Sequence, residues 1–137
     1  MRFLLGLLFV LWASCVQAQF TPLPYTVVST ATETGHVFKG ASGALFRFQV
    51  NTGGSAGWVL LVDGIVVPSN GAVVGCSGAN STGCVAAWWQ VGSSTTLTVD
   101  YGQLPQRLFN GITVVFSTTG PFTMTSSATA VFAGTTQ

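Results

Sequence analysis

The stretch Ala44-Leu-Phe-Arg-Phe-Gln-Val-Asn51 decides how the chain is read. Apolar and polar residues alternate along it, with Phe46, Phe48 and Val50 on one side and Arg47, Gln49 and Asn51 on the other. Successive side chains of a strand point to opposite faces, so this period of two predicts a half-buried β-strand. The neighbouring segments carry the same signature in weaker form. Tyr25–Thr32 reads as a first strand, Trp58–Val62 as a continuously apolar central strand, and Cys84–Val91 and Thr95–Tyr101 as further strands, with Leu97, Val99 and Tyr101 facing inward. Asp63-Gly64 reads as a tight hairpin turn into Ile65-Val66-Val67, and Pro68–Gly71 as a second turn before Ala72-Val73-Val74. Leu108–Thr118 reads as one strand interrupted at Asn110-Gly111, with Ile112, Val114 and Phe116 toward the core. From Pro121 to Phe132 the alternation puts Phe122, Met124, Ser126, Ala128, Ala130 and Phe132 on one side. A hydroxyl ladder of Thr123, Thr125, Ser127 and Thr129 takes the other. Helix signals are scarce beyond the N-terminus. About eight short strands separated by turn signals predict an all-β chain, a single antiparallel β-sandwich of jelly-roll-like type.

The N-terminus reads as a leader. Met1-Arg2 precedes an apolar run from Phe3 to Ala13, and small residues stand at Val16 and Ala18. A single positive charge, about eleven apolar residues and such a tail predict a secretory signal peptide over 1–18, cleaved after Ala18. The run falls short of the roughly 20 apolar residues that span a bilayer, so no stable membrane span is expected. Trp12-Ala13-Ser14-Cys15 also reads as a degraded lipoprotein box, and an uncleaved buried or interfacial helix is a third reading. Residues 19–34 would form an N-terminal arm or first strand, and 35–137 the β-domain.

Secretion governs the reading of Cys76-Ser-Gly-Ala-Asn-Ser-Thr-Gly-Cys84. Once Cys15 is removed with the leader, two cysteines remain in an oxidising compartment, and a disulfide between Cys76 and Cys84 is the expected pairing. Zinc wants about four ligands, and these two cysteines and His36 fall short of that. The spacing does not match the Cys-x-x-Cys of a redox pair. Asn80-Ser81-Thr82 is a formal glycosylation sequon, meaningful only in a eukaryotic secretory pathway.

Charge restricts function further. The whole chain holds 4 Lys and Arg, 3 Asp and Glu, and 1 His. After the leader, Lys39, Arg47 and Arg107 cancel Glu33, Asp63 and Asp100. No basic face exists to neutralise phosphates, so no nucleic-acid partner is expected. Enzymes bring titratable groups together. Here His36 reads as a surface or edge histidine, Asp63 as a turn residue with a local backbone role, and Glu33 and Asp100 as single carboxylates. The expectation is a protein that is not an enzyme, with no catalytic residues, cofactor or metal.

Trp88 and Trp89 are adjacent and must face opposite ways on a strand. One can fill the core. The other, beside Gln90, would stack on a sugar ring, be covered by a neighbouring subunit, or be packed within the fold. Trp58 and Tyr101 read as core-edge aromatics. Low net charge gives little protection against association, which suggests protein partners or self-assembly, with a glycan as the other class of partner.

The chain from Val37 onward resembles a group of small virion-associated β-domain proteins of tailed bacteriophages and prophages. The matching residues are Val37-Phe-Lys-Gly-Ala-Ser-Gly-Ala-Leu-Phe46, Ala56-Gly57-Trp58, Phe109-Asn-Gly-Ile112 and, most specific, Phe116-Ser-Thr-Thr-Gly-Pro-Phe-Thr-Met-Thr-Ser-Ser-Ala-Thr-Ala-Val-Phe-Ala-Gly134. The resemblance implies a structural protein associated with the virion, an accessory component of a capsid or tail, and it implies no active site; the leader and the paired cysteines point instead to a secreted, exported relative.

Overall fold

The computed structural model describes residues 23–77 and 82–137. The leader over 1–18, the Ala18 cleavage, the Cys15 reading and Asn80 of the sequon lie outside the described residues. The fold is all-β, built from antiparallel open sheets, with eleven strands among the described residues. In chain order these are β1 (Tyr25–Val28), β2 (Gly35–Lys39), β3 (Gly43–Asn51), β4 (Gly57–Asp63), β5 (Gly71–Ala72), β6 (Cys84–Val91), β7 (Thr96–Asp100), β8 (Gln106–Leu108), β9 (Ile112–Ser117), β10 (Thr123–Met124) and β11 (Val131–Thr136).

One sheet runs β1-β11-β3-β7, with β8 also on β3; a second runs β2-β9-β4-β6; β10 and β5 form a small third. β3 is nine residues long, so one of its edges serves two partners. Arg47–Asn51 pair with β7 and Gly43–Leu45 pair with β8. The two larger sheets share a core in which Leu45, Phe48, Val50 and Phe132 from the first meet Val59, Leu61, Val114 and Phe116 from the second. Burying such side chains away from water is the main favourable term for a fold of this kind, roughly 1.5–3 kcal/mol each.

The deciding stretch forms its strand, with one change of phase. Phe48 and Val50 are buried as expected, but Leu45 replaces Phe46 as the next inward residue. The register of β11 on β3 jumps from Thr135–Arg47 to Thr136–Leu45. Phe46 is the extra residue of a β-bulge, and a bulge inverts the in-out order beyond it.

Three other expectations change. Asp63-Gly64 is not a hairpin turn and Ile65-Val66-Val67 is not a strand: Asp63 ends β4 with its side chain buried. Leu108–Thr118 is not one interrupted strand. β8 belongs to the first sheet and β9 to the second, and residues 109–111 carry the chain across. Gly111 has φ +155°, and a Cβ there would lie 2.6 Å from the Ile65 side chain and 2.8 Å from the Gly64 carbonyl, so only glycine fits the crossing. The long strand expected over Pro121–Phe132 is split. Only Thr123–Met124 and Val131 onward are strands, Phe122 is about half exposed, and the hydroxyl ladder does not form as a row.

Every residue of β9 is buried, those facing away from the shared core included. A second apolar cluster covers that outer face: Leu60, Val62, Val85, Val115 and Met124, with Val67 and Val73 against it. Polar residues of β9 fasten the cover. The Thr113 hydroxyl donates to the Gly64 carbonyl at 2.6 Å, and the Ser117 hydroxyl oxygen accepts from the Thr125 N–H at 3.1 Å. Each bond satisfies a buried hydroxyl that would otherwise oppose folding.

Candidate functional site

β6 is the outermost strand of the second sheet, paired to β4 along its length and bridged on its other edge only at Val85 among the described residues. Its register sets Val59 opposite Trp89, Leu60 opposite Trp88, and Trp58 opposite Gln90. Val59 belongs to the shared core and Leu60 to the outer cluster. Residues directly opposite in an antiparallel pair share a face, so Trp89 points inward and Trp88 outward. The Trp89 ring packs edge-on against Phe48 at 5.2 Å. Trp88 stays 45% exposed and meets the Trp58 ring edge-on, also at 5.2 Å. Such edge-to-face pairs exploit the ring quadrupole and fix both rings. Trp58, expected at the core edge, lies on the outer face as half of this pair. Gln90 is exposed beside it.

Covering of that face by residues 64–75 and 118–126 thus stops short of the tryptophan pair. Two indoles and one amide are left together where the outer cluster ends. The backbone edge of β6 is capped only near its start. Val85 N–H donates to the Val74 carbonyl at 2.8 Å, and Cys76 N–H donates to the Val85 carbonyl at 3.0 Å. The Cys76–Cys84 disulfide, with Cα atoms 4.9 Å apart, ties this cap to the strand it covers. The expected staple is present, and such a bond belongs to an oxidising compartment.

The titratable groups are dispersed, with one exception. His36 Nδ1 lies 2.7 Å from Glu33 Oε1, so neither is solitary as the sequence reading had it. The pair is partly solvent-exposed at the margin between the sheets, where the segment after β1 crosses to β2. Its ring also touches Phe38. Asp63 and Asp100 take other partners. Asp63 accepts from the N–H groups of Asn110 at 2.7 Å and Phe109 at 3.2 Å, and Asp100 from the N–H of Gly102 at 2.7 Å. The backbone role foreseen for Asp63 is real but reaches 47 residues along the chain rather than into its own turn. Lys39 and Arg107, far apart in sequence, line one open cleft with Ser42 and Phe109. No group of three His, Cys, Asp or Glu side chains suited to a metal ion occurs among the described residues. No helix among them is long and apolar enough to cross a membrane. Tyr101 packs inward at the end of β7, and burial raises its phenol above the ordinary value of 10.0.

Sequence reasoning found Trp88, Trp89 and Gln90 but missed Trp58 as their companion. The available signal was parity: Trp58, Leu60 and Val62 alternate on β4 just as Trp88 and Gln90 do on β6. No protein-family model, curated protein or solved structure matches the chain.

Proposed function

We propose that the protein is a non-enzymatic structural and interaction protein that acts by surface contact, a phage-related virion accessory of capsid or tail or an exported relative of one. In this reading the two facing sheets are a β-sandwich of jelly-roll-like type, preceded by a cleaved leader. The observation that carries it is Trp88, a half-exposed indole held by Trp58 where the covered part of the sheet face ends. Two indoles held together at the surface, with a half-exposed ring and an amide beside them, suit a contact site. Sparse charge leaves such a surface free to associate, and the disulfide suits a protein working outside the reducing cytoplasm. The sequence resemblance to virion-associated β-domains supports the same class.

The placement of Gln90 opposite Trp58 favours a second reading, a carbohydrate-binding module. There Trp88 would be the stacking platform and Gln90 the hydrogen-bonding amide. Replacing Trp88 and Trp89 singly by alanine separates the two. On the contact reading, Trp88→Ala reduces association in light scattering, with no glycan signal to lose on an array. Loss of a glycan signal with association intact would establish the carbohydrate reading instead. Trp89→Ala destabilises the fold in either case.

A further inference from the structure

We infer that the open edge of β6 pairs antiparallel with β6 of a second copy about a twofold axis at Trp88. This rests on the contact reading and names its partner. Beyond Val85, the stretch Ala86–Val91 has no backbone partner on its outer side among the described residues. Unpaired N–H and C=O groups along a strand edge are a template for another strand. Edges are ordinarily protected by charge, proline or a bulge that turns them away. From Ala87 to Val91 this one has none of the three; its single irregularity, the unpaired Ala86, lies at the capped end.

Charge selects the occupant. The other outer strands of the two sheets include Lys39 on β2, Asp100 on β7 and Arg107 on β8. Pairing β6 with any of these would desolvate a charge against an uncharged strand. β1 lacks charge but is only four residues long. β6 against itself brings no charge to the junction. Continuity of the joined sheet then fixes the register to alternatives of one parity, because an outward residue must oppose an outward residue. Trp88 opposite Trp88 of the second copy satisfies this. It also sets Ala87 against Trp89 and Ala86 against Gln90, and stops before the capped Val85. The exposed flanks of the two Trp88 rings meet, extending the Trp58–Trp88 pair into a row of four indoles across an eight-stranded sheet.

Sedimentation equilibrium of the purified, oxidised protein tests this, with Trp88→Lys and Gln90→Lys as variants. The native chain should sediment as a dimer. Trp88→Lys sets two like charges face to face on the axis and should give a monomer. Gln90→Lys, which leaves the core and the Trp58–Trp88 ring pair in place, should weaken the dimer, with a circular dichroism spectrum matching the native fold. A native protein that is monomeric at every soluble concentration overturns the pairing; the contact reading then rests on a different partner at Trp88. A dimer that persists in both variants also overturns it, and locates self-contact on another surface.

Discussion

The two large sheets present opposite solutions to the same problem. The outward side chains of the first form cross-strand rows: Thr26, Thr135, Arg47 and Asp100 in one, Val28, Ala133, Gln49 and Thr98 in the next, then Val131, Asn51 and Thr96. Most are polar and meet water directly; Thr26 bonds Thr135 and Asn51 bonds Thr96, each at 3.2 Å. The second sheet turns Trp58, Leu60, Val62, Val115 and Trp88 outward and has to cover them with residues 64–75 and 118–126. A face that solvates itself needs nothing further. A face that depends on a cover leaves a boundary where the cover ends, and the tryptophan pair stands on that boundary. The candidate site is thus a consequence of which sheet is apolar on both sides.

Truncating outward residues on each sheet is the severest way to break this comparison. Leu60→Ala should cost about 2–5 kcal/mol in chemical denaturation, as for a core leucine, because Leu60 is buried beneath Val67, Val73 and Met124. Gln49→Ala, outward at a matching place on the first sheet, should stay within about 0.5 kcal/mol. Equal costs would mean that the cover adds nothing and that the sheets do not differ.

The cover is also held covalently. Reduction of Cys76–Cys84, or a Cys76→Ala, Cys84→Ala double variant, should lower stability by roughly 2–3 kcal/mol on the loop-entropy account. The loss should appear first as faster hydrogen exchange at the N–H groups of Val85 and residue 76, which donate to the Val74 and Val85 carbonyls beside the disulfide. Exchange that rises equally in β3 and β11 would show instead that the staple serves the whole fold rather than the cover.

Asp63 joins the two regions, since it fixes the crossing from β8 in one sheet to β9 in the other. Asp63→Ala leaves two N–H groups without their acceptor and should cost about 1–3 kcal/mol in urea unfolding. Asp63→Asn keeps one acceptor oxygen and should cost less. If both variants are neutral, Gly111 alone sets the crossing.

These particular residues also show what the sequence makes legible. The alternation in Ala44–Asn51 predicts a strand and its polar face correctly, because the period of two is a local property. It cannot show Phe46 leaving the ladder, since the bulge exists only in the pairing of β3 with β11. Ile112–Ser117 puts Ile112, Val114 and Phe116 on one face and Thr113 and Ser117 on the other, with only Val115 breaking the alternation of a half-buried strand. Burial of Thr113 and Ser117 depends on segments folding over them from elsewhere in the chain. Asp63-Gly64 carries a strong local turn signal, which loses to bonds the carboxylate makes with residues 46 and 47 positions away. At the site, adjacency of Trp88 and Trp89 guarantees one inward and one outward ring. Which is which follows from the register on β4 and the unpaired Ala86, and neither is encoded locally.

The smallest expected effect sharpens the comparison from the first sheet's side. Its outer face is open, and its inner face closes only gradually toward β7, where Leu97, Val99 and Tyr101 pack on the core but remain partly accessible. Tyr101 reports that gradient because desolvation disfavours its phenolate and raises its pKa above 10.0. A group raised in the folded state binds its proton more tightly there than in the unfolded chain. Its contribution is therefore complete below the unfolded value near 10.0 and is lost as pH rises through the higher folded value. Native protein should accordingly show a decline in melting temperature on the alkaline side that Tyr101→Phe lacks, together with late ionisation of one phenol in an absorbance titration. Ionisation of Tyr101 at the ordinary value in the native protein would mean that the core is open to water at β7. The contrast between a sealed sheet and a self-solvating one would then extend to the inner faces as well.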